Sequence, residues 1–280
     1  MDWNKSNTIL IAAFIILNVF LITTVFSDIF TKSSNTAIDN DEFIENVENI
    51  LKSKNIMINS EIPENGYVLP VLEIDYEIIT ITDELIQKYL GEGIEAQEDV
   101  FVYSNQNDEM LEIFNNKKLV YTIREKSADL INHKDIVYFS EKEINEFLEN
   151  KKIAKTGFNK SYEFISDNDI HITYTQSYND ISIDNSYMCF YIDNDGVYKF
   201  EMQRANSIID TINKTNTITA VEALPRLLTY DIENKEIISI KMTYFSREDE
   251  NWEYIYRTNS DPTWVVEFSD GSQIHLPNVD

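Results

Sequence analysis

The sequence predicts an α+β protein with one N-terminal transmembrane helix, followed by an outer region of helices each laid over an antiparallel meander. Three observations carry this prediction. Residues 8–26 contain no charged side chain. Three later stretches with helical spacing each precede runs in which apolar and polar residues alternate. The turn signals Asn194-Asp195-Gly196 and Asp270-Gly271 join such runs, because glycine tolerates the positive φ that tight hairpins need.

The opening stretch is justified first. Thr8 to Phe26 is 19 residues, and 13 of them are Ile, Leu, Phe or Val. A helix rising 1.5 Å per residue over that length spans roughly the 30 Å hydrocarbon core. Insertion of those side chains is favourable by about 4–8 kcal/mol, more than one neutral Asn18 costs. A secretory signal would have a shorter apolar run and small residues at a cleavage site. Val25 and Phe26 stand there instead, so the segment reads as an uncleaved anchor. Lys5 precedes it and Asp28 follows, so the amino end is expected in the cytoplasm and the rest outside the cell membrane. Trp3 and Lys5 would fix depth and orientation at the interface. Asn18, with Phe14, Leu17 and Leu21 on the neighbouring face, is the candidate partner-binding surface, since an amide in lipid seeks a polar contact on another helix. A tolerated polar residue without such a role is the alternative.

The expected order is a cytoplasmic stub (1–6), the membrane helix (7–26), a polar juxtamembrane spacer (27–40) and two outer subdomains (41–135 and 136–280). The first outer helix follows Asp39-x-x-Glu42, a capping-box pattern, with Phe43, Ile44, Val47, Ile50 and Leu51 at helical spacing. "YVLPVLEIDYEI" reads as extended, and Pro70 points to an edge or bend. "TDELIQKYL" is a short helix before "DVFVYS", "EMLEIF" and "KLVYTIRE". "SEKEINEFLEN" opens with Ser140-x-x-Glu143 and precedes "SYEFIS", "DIHITYTQSY", "SYMCFYI" and "GVYKFEMQ". "TAVEALPRLLTY" opens with Thr219-x-x-Glu222, is kinked by Pro225, and precedes "KEIISIKMTYF", "WEYIYR", "TWVVEFSD" and "GSQIHL".

Composition narrows the function classes. Sixteen Tyr and 15 Phe in 280 residues support a packed fold. With 49 acidic against 23 basic residues the formal charge is −26, which repels phosphate backbones and argues against nucleic acid. The single Cys189 excludes an intramolecular disulfide and lies in an apolar run, as a buried thiol does. His133, His171 and His275 stand on separate elements, and no Cys pair or His-x-x-x-His gives metal-ligand spacing. "YIDNDGVYKFEM" fails as a calcium loop, because Tyr191 and Met202 occupy the first and last ligand positions when Gly196 is the sixth. No catalytic residue, cofactor or metal ligand is assigned. Trp252, Tyr254 and Tyr256 share one side of a strand, and with Trp264 they fit a core face or a partner face.

The residues Met1, Asp2, Trp3 and Lys5, then Phe14, Ile15, Leu17, Asn18, Phe20 and Leu21, resemble the opening of the YycI (WalI) family of Gram-positive bacteria. That resemblance implies a bitopic, non-catalytic membrane protein. It would work with a YycH sister protein on the sensor histidine kinase WalK (YycG), which governs cell-wall metabolism through WalR. The last unit, "ITAVEAL" to "GSQIHL", is also similar to PepSY-type modules. Two other classes stay open on the residues alone: an extracytoplasmic ligand-sensing module, and a cell-wall hydrolase built on paired carboxylates.

Overall fold

The computed structural model describes residues 40–92, 94–96, 101–247 and 256–278. The membrane segment, Trp3, Lys5, Phe14, Leu17, Asn18 and Leu21, and the Asp39 end of the first capping box lie outside the described residues. Among the described residues no helix is long and apolar enough to cross a membrane. The chain divides into two compact units, Met1–Asn49 and Ile50–Asp280. Helix α1 (Asn40–Lys52) begins in the first and ends in the second. On it Val47 and Leu51 are buried as the spacing predicts, but Ile50 is exposed, so the buried stripe is narrower than the one read from the sequence.

The second unit is α+β. Helix α2 (Asp83–Leu90) is capped by Thr82, whose hydroxyl accepts from the Leu85 N–H, and buries Ile86, Tyr89 and Leu90. Helix α3 (Ile136–Asn150) corrects one sequence expectation. It starts before Ser140, at the cap Asp135, whose carboxylate accepts from the Tyr138 N–H at 3.0 Å. Ser140 lies inside the helix and donates to the Ile136 carbonyl at 2.7 Å. A serine can bond backward as well as cap, so its motif alone did not fix the start. Helix α4 (Ala220–Ala223) has the expected box, with Thr219 and Glu222 each bonded to the other's backbone N–H. Pro225, which has no N–H, does more than kink it: the α-helix stops and a 3-10 turn, Leu224–Thr229, takes over.

Among the described residues fourteen strands form one sheet. In chain order they are β1 (Met57–Ile58), β2 (Val68–Tyr76), β3 (Glu95–Ala96), β4 (Val102–Ser104), β5 (Met110–Phe114), β6 (Lys118–Thr122) and β7 (Asn159–Ile165). There follow β8 (Ile170–Tyr178), β9 (Ile181–Asp193), β10 (Gly196–Gln203), β11 (Ala205–Asn216), β12 (Glu236–Phe245), β13 (Arg257–Phe268) and β14 (Gln273–Pro277). The order is β11-β2-β13-β12-β9-β10-β6-β5-β4-β3, with β1 on β12, β14 on β13 and β8, carrying β7, on β9. Most pairs are antiparallel, as the hairpin signals require. The sheet is nonetheless mixed, because β12 runs parallel to both β1 and β9. These parallel contacts join the expected meanders into one sheet, which pairs β6 with β10 across residue 135. Pro70 tolerates its place because β13 pairs only with Leu72–Asp75 of β2, leaving that side of Pro70 without a ladder partner.

The main core lies where α2 and α3 cover β5, β6 and β8–β10. Phe147 of α3 meets Phe200 at a centroid distance of 5.0 Å, and Phe190 meets Phe200 at 5.0 Å. Each such buried ring contributes about 1.5–3 kcal/mol. A smaller cluster joins Leu72, Ile74 and Tyr76 of β2 to Ile183 and Tyr244.

Candidate functional site

The end of β2 turns away from the sheet at Glu77–Thr80, held by the Glu77 N–H on the Arg204 carbonyl and the Ile79 N–H on the Asn116 carbonyl. That turn, the outer face of α2, the β5–β6 turn and the residues after α3 enclose a cavity of about 500 Å³. Half of its wall is apolar, from Ile78, Ile79, Leu85, Leu119, Ile153 and Met202. The charged residues on it are Lys88, Lys117, Lys152 and Arg204, against one carboxylate, Glu77. Four cations to one anion is the reverse of the chain's 23 to 49.

The cations differ in their surroundings. Lys117 is buried, with its ammonium 5.6 Å from the Tyr76 ring centroid and 5.7 Å from that of Tyr256. Arg204 has Glu77 3.7 Å away. Lys88 and Lys152 are exposed, and among the described residues neither has a carboxylate within ion-pair distance. Lys152 lies two residues past the end of α3 and adopts φ +51. Behind this wall Lys151 donates to the Tyr89 carbonyl at 2.7 Å and the Tyr121 hydroxyl at 2.9 Å. Burial lowers the pKa of Lys151, a pull that the Glu109 charge partly offsets.

Other candidate chemistry is structurally satisfied. His133 bonds the Asn194 carbonyl and stacks on Phe139, and His171 pairs with Asp169 at 3.1 Å. His275 pairs with Asp184 at 2.8 Å and stacks on Phe245 at 3.8 Å. Ser182 donates to the same Asp184 carboxylate, at 3.0 Å. The hydroxyl therefore faces the acid and not the imidazole, the reverse of a nucleophile–base–orienter order. Asp193, from the failed calcium loop, is wholly buried under both guanidinium nitrogens of Arg124, at 2.6 and 2.5 Å. Burial alone would raise its carboxyl, but Arg124 and the Ser127 and Asp195 N–H groups hold it below the usual carboxylate range. Cys189 is buried and its thiol is pushed up to about 11, chiefly by burial. Among the described residues no cluster of His, Cys, Asp and Glu could hold a metal ion. Trp264 is a core residue, its indole donating to the Ile218 carbonyl at 2.9 Å. Tyr256 is partly exposed, while Trp252 and Tyr254 lie outside the described residues.

A second surface was not foreseen. Strand β11 ends the sheet, bonded to β2 on one side and to no other strand among the described residues. Ile209 is 49% exposed on it, and Ile212, within a register shift between Asp210 and Lys214, is 100% exposed. An open edge with apolar side chains is a template for another chain, and the bulge restrains uncontrolled pairing.

The YycI protein family model matches residues 34–276. The chain belongs to the YycI family. No curated protein matches it. Among solved structures this YycI chain is similar to an uncharacterized protein from Eubacterium rectale ATCC 33656, with 11% identity over 83% of this chain and 94% of that one, at a TM-score of 0.44. It is also similar to YycH from Bacillus subtilis, with 12% identity over 76% of this chain and 57% of that one, at a TM-score of 0.49. The Bacillus megaterium YpeB C-terminal domain matches with 11% identity over 71% of this chain and 100% of the domain, at a TM-score of 0.33.

Proposed function

We propose that this YycI-family chain is a non-catalytic, membrane-anchored accessory regulator. It binds a WalK-like sensor histidine kinase together with a YycH-like partner, and so controls cell-wall metabolism genes. The observation that carries this reading is the family match across residues 34–276, nearly the whole outer region. The uncharged run at 8–26 supports a single-pass topology in the cell membrane, with the amino end cytoplasmic. A two-state kinase responds only to a partner that favours one state. Lateral packing of the anchor, with Asn18 as its polar contact and Phe14, Leu17 and Leu21 beside it, supplies that preference. The open edge of β11 is the surface we assign to the YycH-like partner.

Co-purification from native membranes tests this. Full-length protein is compared with a form in which residues 7–26 are replaced by an unrelated anchor, and with Asn18→Leu and Ile212→Glu. The full-length chain recovers a histidine kinase, the replaced anchor and Asn18→Leu lose it, and Ile212→Glu loses the sister protein. Recovery of neither partner by the full-length chain defeats the reading. A second reading, an extracytoplasmic ligand-binding module, is favoured by the cation-lined cavity.

A further inference from the structure

We infer that the cavity between the end of β2, α2 and the end of α3 binds a small oxyanion: one phosphate or carboxylate head carrying a short apolar body. The inference goes beyond the regulatory reading and does not depend on it.

Cations are scarce in this chain, 23 against 49 acids, and several outside the cavity are paired with carboxylates. Lys118 and Lys199 both reach Glu201, Lys241 reaches Glu267, and Arg124 reaches Asp193. At the cavity the cations are gathered instead. Lys88 and Lys152, on different elements, face one space with no described carboxylate to neutralise them, and Lys117 and Arg204 line the same wall. Holding like charges together raises the energy of the empty site, and a bound anion lowers it. Glu77 lies against Arg204 and removes one charge, so the wall keeps a net positive sign.

The shape agrees with the charge. A volume of about 500 Å³ falls in the range of small-ligand sites. The apolar side of the wall suits a few carbon atoms attached to the charged head, which a bare inorganic ion would leave unused. Lysine ammoniums are compact point charges that serve phosphate and carboxylate alike, so the head group's identity is for the probes to decide.

The test uses the full chain in detergent micelles and calorimetric titration with two probes, inorganic phosphate and the dipeptide acetyl-Ala-Leu with its free carboxylate. Saturable binding of either probe is expected, and the probe that binds more tightly identifies the head group. Because Lys117 is buried, the variant is the exposed pair Lys88→Gln/Lys152→Gln, which keeps the fold. It should weaken binding roughly tenfold, the loss of about 1.4 kcal/mol. Lys134→Gln, an exposed lysine outside the cavity, should leave affinity unchanged. Absence of binding by both probes overturns the inference. So does equal affinity in the double variant, or equal weakening by Lys134→Gln.

Discussion

Arg124 and Lys152 stand at opposite ends of one electrostatic rule. Arg124 grips a buried carboxylate with two short bonds, and the backbone N–H groups of Ser127 and Asp195 complete the shell around it. Lys152 has no described carboxylate partner and faces an open cavity. The first arrangement fixes the loop after β6 to the β9–β10 hairpin. The second does nothing for the fold that a neutral side chain could not do. Lys134 too lacks a carboxylate partner among the described residues, so the mark of a site is the gathering of Lys88, Lys117, Lys152 and Arg204 on one cavity wall, not the missing partner alone.

The comparison is sharpened most by removing the matched cation. Arg124→Ala strands a charge on Asp193, which is wholly buried, and should cost about 3–5 kcal/mol in urea unfolding of the full chain at neutral pH. Acid then changes the result in a definite direction. The folded Asp193 carboxyl sits below its unfolded value, so its stabilisation is present above about pH 4 and is lost as pH falls through the lower folded value. In the variant the same buried carboxyl has lost its counter-charge and takes up a proton at higher pH. The gap between parent and variant should therefore narrow steadily between neutral pH and about pH 3. A gap that stays constant would mean Asp193 is not the group stranded.

Gly196→Ala tests the hairpin that presents Asp193. Its φ is +107, and an added Cβ would come within 2.5 Å of the Glu143 Oε2 atom. The Glu143 side chain can swing away, but the backbone conformation cannot be kept cheaply by alanine, so a loss of about 1–3 kcal/mol is expected. Thermal unfolding reads it directly. A neutral result would show that the turn relaxes and that Arg124 holds Asp193 without it.

What was legible in the sequence divides along similar lines. Local chemistry could be read: the Asn194-Asp195-Gly196 and Asp270-Gly271 turns, the Thr219–Glu222 box and the alternating strands all stand where the residues put them. The start of α3 was misread because Ser140 and Asp135 are both competent caps and only packing chooses between them. The parallel placement of β12 beside β1 and β9 left no local trace, since non-local pairing carries no turn signal. Strand β11 was missed because "NSIIDTINKTN" is polar and edge strands need not alternate cleanly. The cavity was invisible for a related reason. Lys117 sits in "NNKKLV", which reads as a charged turn, yet the fold buries it against Tyr76 and brings it to one wall with Lys88, Lys152 and Arg204.

The smallest expected effect is the most informative about that wall. Lys88→Gln/Lys152→Gln should change unfolding stability by less than about 0.5 kcal/mol in the absence of anions, the usual range for exposed positions without a structural contact. If anything the sign should be favourable, because two like charges leave a wall that keeps Lys117 and Arg204. Added inorganic phosphate at fixed ionic strength should then stabilise the parent more than the variant, since a ligand that binds only the folded state raises stability in proportion to its occupancy. A large loss of stability in the variant without anion would reverse the comparison. It would mean that Lys88 and Lys152 hold the fold together as Arg124 does, and that their lack of carboxylate partners is no mark of a site.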